Sequence, residues 1–120
     1  MKILPPTLRP QRRYLAFEVI SEKDVSRDAL LREIFPAASY LLGDLVSSQC
    51  EIRLLDFDYP FGILRCLRDS EELTRTVLCV ISSIDGTPAF IRVLGVSGTI
   101  KAATEKYIEG QEAYDVHSHL

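Results

Sequence analysis

The sequence predicts an α+β sandwich whose elements run β-α-β-β-α-β-α. Three observations carry that expectation. Four segments are rich in apolar and β-branched residues over strand-like lengths. Two segments between them carry apolar stripes at helical spacing. The turn Asp58-Tyr59-Pro60 links the second and third strands as a hairpin. The first six elements match the split βαβ, ferredoxin-like (RRM-like) plan, a four-stranded antiparallel sheet of expected order 4-1-3-2, here with an additional C-terminal helix. Right-handed crossovers place both long helices on one face of that sheet.

Residues 1–12 hold Pro5, Pro6 and Pro10 and are expected to form an extended arm. Lys2, Arg9, Arg12 and Arg13 make it basic, with no acid before Tyr14. The single domain is expected over residues 13–109. Arg13–Ser21 reads as the first strand, with Leu15, Phe17 and Val19 on one face and Tyr14, Ala16, Glu18 and Ile20 on the other. Ser26 caps a helix whose stripe is Leu30, Leu31, Ile34, Ala38, Leu41, Leu42 and Leu45, and Pro36 is expected to kink or divide it.

Gln49–Asp58 and Phe61–Arg68 are the second and third strands. Asp69 with Glu72 reads as a capping box for a helix that buries Leu73, Val77, Val80, Ile81 and Ile84 and stops at Asp85-Gly86. Pro88 precedes the fourth strand, Phe90–Leu94. Gly95-Val96-Ser97-Gly98 is expected to turn the chain into the last helix, with Ser97 as its cap. Gly110 ends that helix, and residues 110–120 read as a flexible acidic tail.

Strand parity sorts the sheet into two faces. Leu15, Phe17, Val19, Ile52, Leu54, Leu64, Cys66, Ile91 and Val93 are expected under the long helices. Tyr14, Glu18, Arg53, Leu55, Phe57, Phe61, Ile63, Arg65, Phe90, Arg92 and Leu94 are expected on the other face. That face is too apolar to stand bare in water. The last helix covers part of it, and Leu55, Phe57, Phe61, Ile63, Phe90 and Leu94 are expected to meet a protein partner or a second copy. Its arginines either contact RNA or pair with Glu18 and Glu51.

Composition narrows the function. A net charge of −3 argues against a generic polyanion binder. No apolar run approaches the roughly 20 residues of a membrane span. Cys50, Cys66 and Cys79 have no C-x-x-C spacing and read as buried free thiols in a reducing, cytoplasmic compartment.

Catalytic patterns are missing from the sequence. Gly95-Val96-Ser97-Gly98-Thr99 is not G-x-S-x-G, and the histidines, His117 and His119, lie in the tail. G-K-[ST] is absent. Asp56 and Asp58 share a strand face that suits either a divalent ion or plain solvent, and Asp115 with the two histidines offers at most a loose metal site. The third strand lacks the spaced aromatics of an RRM platform. Backbone contact with a folded RNA remains, through Arg9, Arg12, Arg13, Arg65, Arg68, Arg92, Lys101 and the N–H groups of Ser97, Gly98 and Thr99. An alternative is a regulatory domain that binds a small anion at Gly95–Lys101, and a third reading is a structural dimerisation module.

Three stretches resemble one family. They are Arg12-Arg13-Tyr14-Leu15-Ala16-Phe17, Gly62-Ile63-Leu64-Arg65-Cys66, and the run from Arg92 to Lys101 that contains Gly95, Ser97 and Gly98. In this order and spacing, over about Arg12–Ile108, the chain resembles the Pop-five family of archaeal and eukaryotic ribonuclease P protein subunits. The resemblance implies a non-catalytic subunit of the enzyme that removes the 5′ leader from precursor tRNA. It implies that the catalyst is the RNA, that Mg²⁺ serves the RNA, and that the chain itself binds no cofactor. Implied partners are the catalytic domain of that RNA, the TIM-barrel-like component 3, a second copy of the chain within a heterotetramer, and precursor tRNA as the holoenzyme's substrate. By motif match, Arg13, Arg65, Arg92, Ser97, Gly98 and Lys101 are the positions expected to contact or support RNA.

Overall fold

A computed structural model describes residues 11–109. The elements are β1 (Arg12–Ser21), α1 (Arg27–Cys50), β2 (Arg53–Asp58), β3 (Phe61–Leu67), α2 (Glu71–Cys79), β4 (Ser83–Ile84), β5 (Thr87–Ser97) and α3 (Ile100–Ala103), which continues as a π-helical turn over Thr104–Ile108. The strands form one antiparallel sheet of order β2-β3-β1-β5-β4. The sheet therefore has five strands where four were expected. The extra strand pairs Ser83 with Pro88 and Ile84 with Thr87 around Asp85-Gly86. Both turn residues have positive φ, 54° and 78°, as a two-residue primed hairpin turn requires. Asp85-Gly86 thus closes a hairpin and does not stop a helix.

The core lies between the sheet and the helices α1 and α2. Leu15, Phe17, Val19, Leu54, Leu64, Cys66 and Ile91 pack there with Leu30, Ile34 and Leu78, and Ile52 and Val93 flank them. Parity assigned all nine of those strand positions to this face. One assignment to the opposite face is corrected. A bulge between Leu54 and Asp56 leaves Leu55 unpaired and sets Phe57 opposite Gly62. Phe57 therefore turns into the core, stacked on Phe17 with ring centroids 6.1 Å apart and an interplanar angle of 14°. Gly62 makes room for this: a Cβ there would lie 2.9 Å from Phe57 and would strike Phe17 as well. The Tyr59 hydroxyl donates to the Ser21 carbonyl at 3.0 Å, which ties the β2–β3 turn to the end of β1.

The Ser26 hydroxyl caps α1 by accepting the Ala29 N–H at 3.1 Å. Pro36 lies inside α1 without dividing it, and the break falls at Gly43, whose φ of 79° and ψ of 158° leave the helical region. Beyond the break the expected stripe faces water, with Leu45 73% exposed. The capping box at Asp69 does not form. Asp69 takes a positive φ of 73° and its N–H donates to Glu71, not Glu72. The buried side of α2 is Thr74, Val77 and Leu78, so Leu73 and Val80 are exposed and the stripe is offset from its expected place.

The second face carries α3. Ala16, Ile63 and Ala103 are buried together there, flanked by Tyr14, Leu94, Tyr107 and Ile108. β5 does not turn at Gly95 but pairs with β1 as far as Ser97, with an irregularity that leaves Leu94 out of the ladder. Strand continuation removes Ser97 from the capping position. Thr99 caps α3 instead, accepting the Ala102 N–H at 3.1 Å.

Candidate nucleic-acid interface

The register brings three strand ends to one edge of the domain. On β1, Arg12 lies opposite Leu67, Arg13 opposite Cys66 and Tyr14 opposite Arg65. Tyr14 also faces Ser97 on its other side. Arg12, Arg13, Arg65, Arg68, Ser97 and Gly98 therefore gather at this end. The Arg13 guanidinium donates to the Arg12 carbonyl at 3.0 Å and reaches Gly98, where a Cβ would stand 3.9 Å from its Nη1. Arg68 is pinned to the residue just before β1: its N–H donates to the Gln11 carbonyl and its guanidinium to Gln11 Oε1, both at 2.8 Å. Arg12 lies 3.8 Å from Glu51. Lys101 projects into solvent, 4.0 Å from Glu105.

One expected contact stands apart from this group. Arg92 pairs with β1 at Glu18, four residues beyond Tyr14, and its guanidinium donates to that carboxylate at 2.7 Å. Glu18 is fully buried, so Arg92 serves to compensate a carboxylate inside the fold. Arg9 lies outside the described residues. Arg53, by contrast, joins the basic end although it is absent from the expected contact set. It sits directly opposite Arg65 in the β2–β3 ladder, and shared strand parity is the signal that finds it.

The expected protein-contact residues divide in the same way. Phe57 and Ile63 are spent in the protein's own two cores. Leu55, Phe61 and Leu94 are half-buried, and Phe90 is 53% exposed. Asp56 and Asp58 lie on the second face beside a cavity of about 200 Å³, lined also by Phe61, Gly62, Ile63, Thr104 and Ile108. Among the described residues no three potential metal ligands come together. Asp115, His117 and His119 lie outside them.

The space expected for a small anion at Gly95–Lys101 is differently used. The Tyr107 ring lies against the Gly95 backbone, and Gly95 to Ser97 are engaged in the β1 ladder. The cysteines are all free. Cys50 and Cys66 are buried as expected, but Cys79 is exposed at the end of α2. Burial pushes the Cys66 thiol above its ordinary value, against a lowering hydrogen bond from Thr74. No helix among the described residues is long and apolar enough to cross a membrane.

The family model described as "Rpp14/Pop5 family" matches residues 13–108. The chain belongs to the Rpp14/Pop5 family. It is 45% identical over 114 residues to a Methanosarcina mazei protein called Ribonuclease P protein component 2, covering 95% of this chain and 98% of that one. A Pyrococcus furiosus protein of the same name is 41% identical over 109 residues, covering 89% and 91%. Among solved structures, a chain in the cryo-EM structure of yeast Ribonuclease MRP is similar in fold, with a TM-score of 0.63, 14% identity and 76% of each chain covered. The match begins at Arg13, the second residue of β1, and ends at Ile108, the last residue of the π-helical turn, so it spans every element from β1 to α3.

Proposed function

We propose that this chain is a non-catalytic protein subunit of ribonuclease P and supports the catalytic RNA as it removes the 5′ leader from precursor tRNA. Near-full-length similarity to proteins named Ribonuclease P protein component 2 supports the assignment. The structural observation that carries it is the convergence of Arg12, Arg13, Arg65 and Arg68 on one end of the sheet, beside Ser97 and Gly98. Such a cluster neutralises phosphates of a folded RNA without reading its bases. The acidic total charge of −3 is no obstacle, because Arg12, Arg13, Arg65 and Arg68 are gathered on one edge.

In this reading the protein holds the RNA's catalytic domain in its active shape, Mg²⁺ serves the RNA, and the chain brings no cofactor of its own. Component 3 or a second copy of the chain covers the apolar residues left at the surface, Phe90 foremost. The fold is ferredoxin-like in its strands β1, β2, β3 and β5, with β4 as an added hairpin arm. Three free thiols support a cytoplasmic setting.

Hydroxyl-radical footprinting of the cognate ribonuclease P RNA tests the contact. Adding the chain protects backbone positions in the catalytic domain. An unchanged cleavage pattern at saturating protein would overturn the reading.

A further inference from the structure

On the second face, Arg53 of β2 and Arg65 of β3 occupy directly opposed positions, with Tyr14 and then Ser97 next in the same row across β1 and β5. Residues opposed across an antiparallel pair hold their Cβ atoms about 5 Å apart on one face, and two like charges there destabilise the sheet. An acid on either side would normally relieve this. Neither arginine has an acidic partner among the described residues. Glu51, two residues before Arg53, is paired with Arg12. Moreover, the Arg65 Nε is buried and has no hydrogen-bond partner among the described residues. A buried, unpaired guanidinium N–H is costly, and native proteins rarely leave one without a reason.

We infer that Arg53 and Arg65 form a two-arginine site for one backbone phosphodiester of RNA. The inference rests on the subunit reading and adds to it a residue, Arg53, and a location on the sheet face. One phosphate between the two guanidinium groups converts a repulsive pair into two attractive ones. It also supplies acceptors in the geometry that guanidinium forks favour. The opposition of Arg53 and Arg65 is fixed by the ladder, so both side chains start from adjacent points on one face. The site is separate from the Arg13–Gly98 contact, since Arg13 pairs with Cys66 and points to the other side of the sheet.

The test measures binding of the full chain to the cognate ribonuclease P RNA over a series of salt concentrations. It compares the unchanged chain with Arg53→Gln, Arg65→Gln, the double variant and Arg53→Lys. Each single variant is expected to weaken binding about tenfold. The salt slope should fall by about one. The double variant should be little weaker than either single one, because both arginines hold the same phosphate. Arg53→Lys should recover part of the loss. Arg53 is exposed, so its variants keep the fold, and relief of the opposed charges should leave thermal stability equal or higher. Unaltered affinity and slope in the double variant would overturn this site alone. Failure of the unchanged chain to bind the RNA would instead overturn the subunit reading, and the site with it. Inorganic phosphate serves as the second arm. Competition by millimolar phosphate at constant ionic strength, with the same salt slope in every variant, would mark a free-anion site and contradict the RNA assignment.

Discussion

The ring of Tyr107 lies on the backbone of Gly95, nearer than any side-chain Cβ at that position would allow. This contact holds the π-helical end of α3 against β5, over the buried patch of Ala16, Ile63 and Ala103. Glycine is needed here because of close approach, not because of an unusual backbone angle. Gly95→Ala is expected to cost about 1–3 kcal/mol in urea unfolding, in the range of an overpacked core. In a Tyr107→Ala background the same change should cost much less, because the opposing ring is gone. Equal costs in both backgrounds would mean that the ring does not define the site.

Phe57 gives a second test of the sheet. Sequence parity assigns it to a partner surface, whereas the bulge at Leu55 stacks it on Phe17. Phe57→Ala should therefore destabilise the isolated chain by about 3 kcal/mol. Phe90→Ala, at an exposed position, should stay within about 0.5 kcal/mol. Comparable small effects from both would return Phe57 to the surface.

The roles of Arg92 and Arg65 should separate. Arg92 compensates the buried Glu18 at 2.7 Å, while Arg65 lies in the arginine cluster. Arg92→Ala is expected to lower stability by about 1–3 kcal/mol through the exposed end of that pair. RNA affinity, measured on the folded fraction, should change little. Arg65→Gln should show the opposite balance. An equal loss of RNA affinity in both variants would extend the contact surface to Arg92.

Alkaline pH should weaken the fold. Burial raises the Cys66 thiol above its ordinary value. Burial also raises the Tyr59 phenol, helped by the charges of Asp24 and Glu18. Both groups ionise more readily in the unfolded chain. Their contribution is whole below the unfolded thiol value, about 8.5. It is lost as pH rises through the raised folded values. The urea midpoint should thus fall above about pH 9, and Cys66→Ala should remove part of that fall. In thiol labelling at neutral pH, exposed Cys79 should react first, with Cys50 and Cys66 following only on unfolding.

Much of this could be read from side-chain alternation. Leu15, Phe17 and Val19 on β1 and Leu64 and Cys66 on β3 face the long helices as their period of two requires. The Ser26 cap was equally legible. Alternation fails beyond Leu55 and beyond Leu94, because an extra residue in a ladder reverses every side chain after it without any change in composition. The β4 hairpin hid behind the apolar residues Ile81 and Ile84, which fit a longer α2. Asp85-Gly86, a hairpin signal in its own right, was the available cue. The stripe on α1 could not reveal that Leu41 and Leu45 are exposed, because periodicity records which residues share a side and not whether anything covers it. At the basic end, Arg13 and Gly98 were legible as motif residues. Arg53 emerges only when the strands are paired.

The most direct measurement is precursor-tRNA cleavage by the cognate ribonuclease P RNA at low Mg²⁺, with component 3 present and this chain added or withheld. Adding the chain should raise the cleavage rate at the mature 5′ end, and Arg65→Gln, checked for folding, should lose most of that gain. Equal rates with and without the folded chain would contradict its assignment as a ribonuclease P subunit.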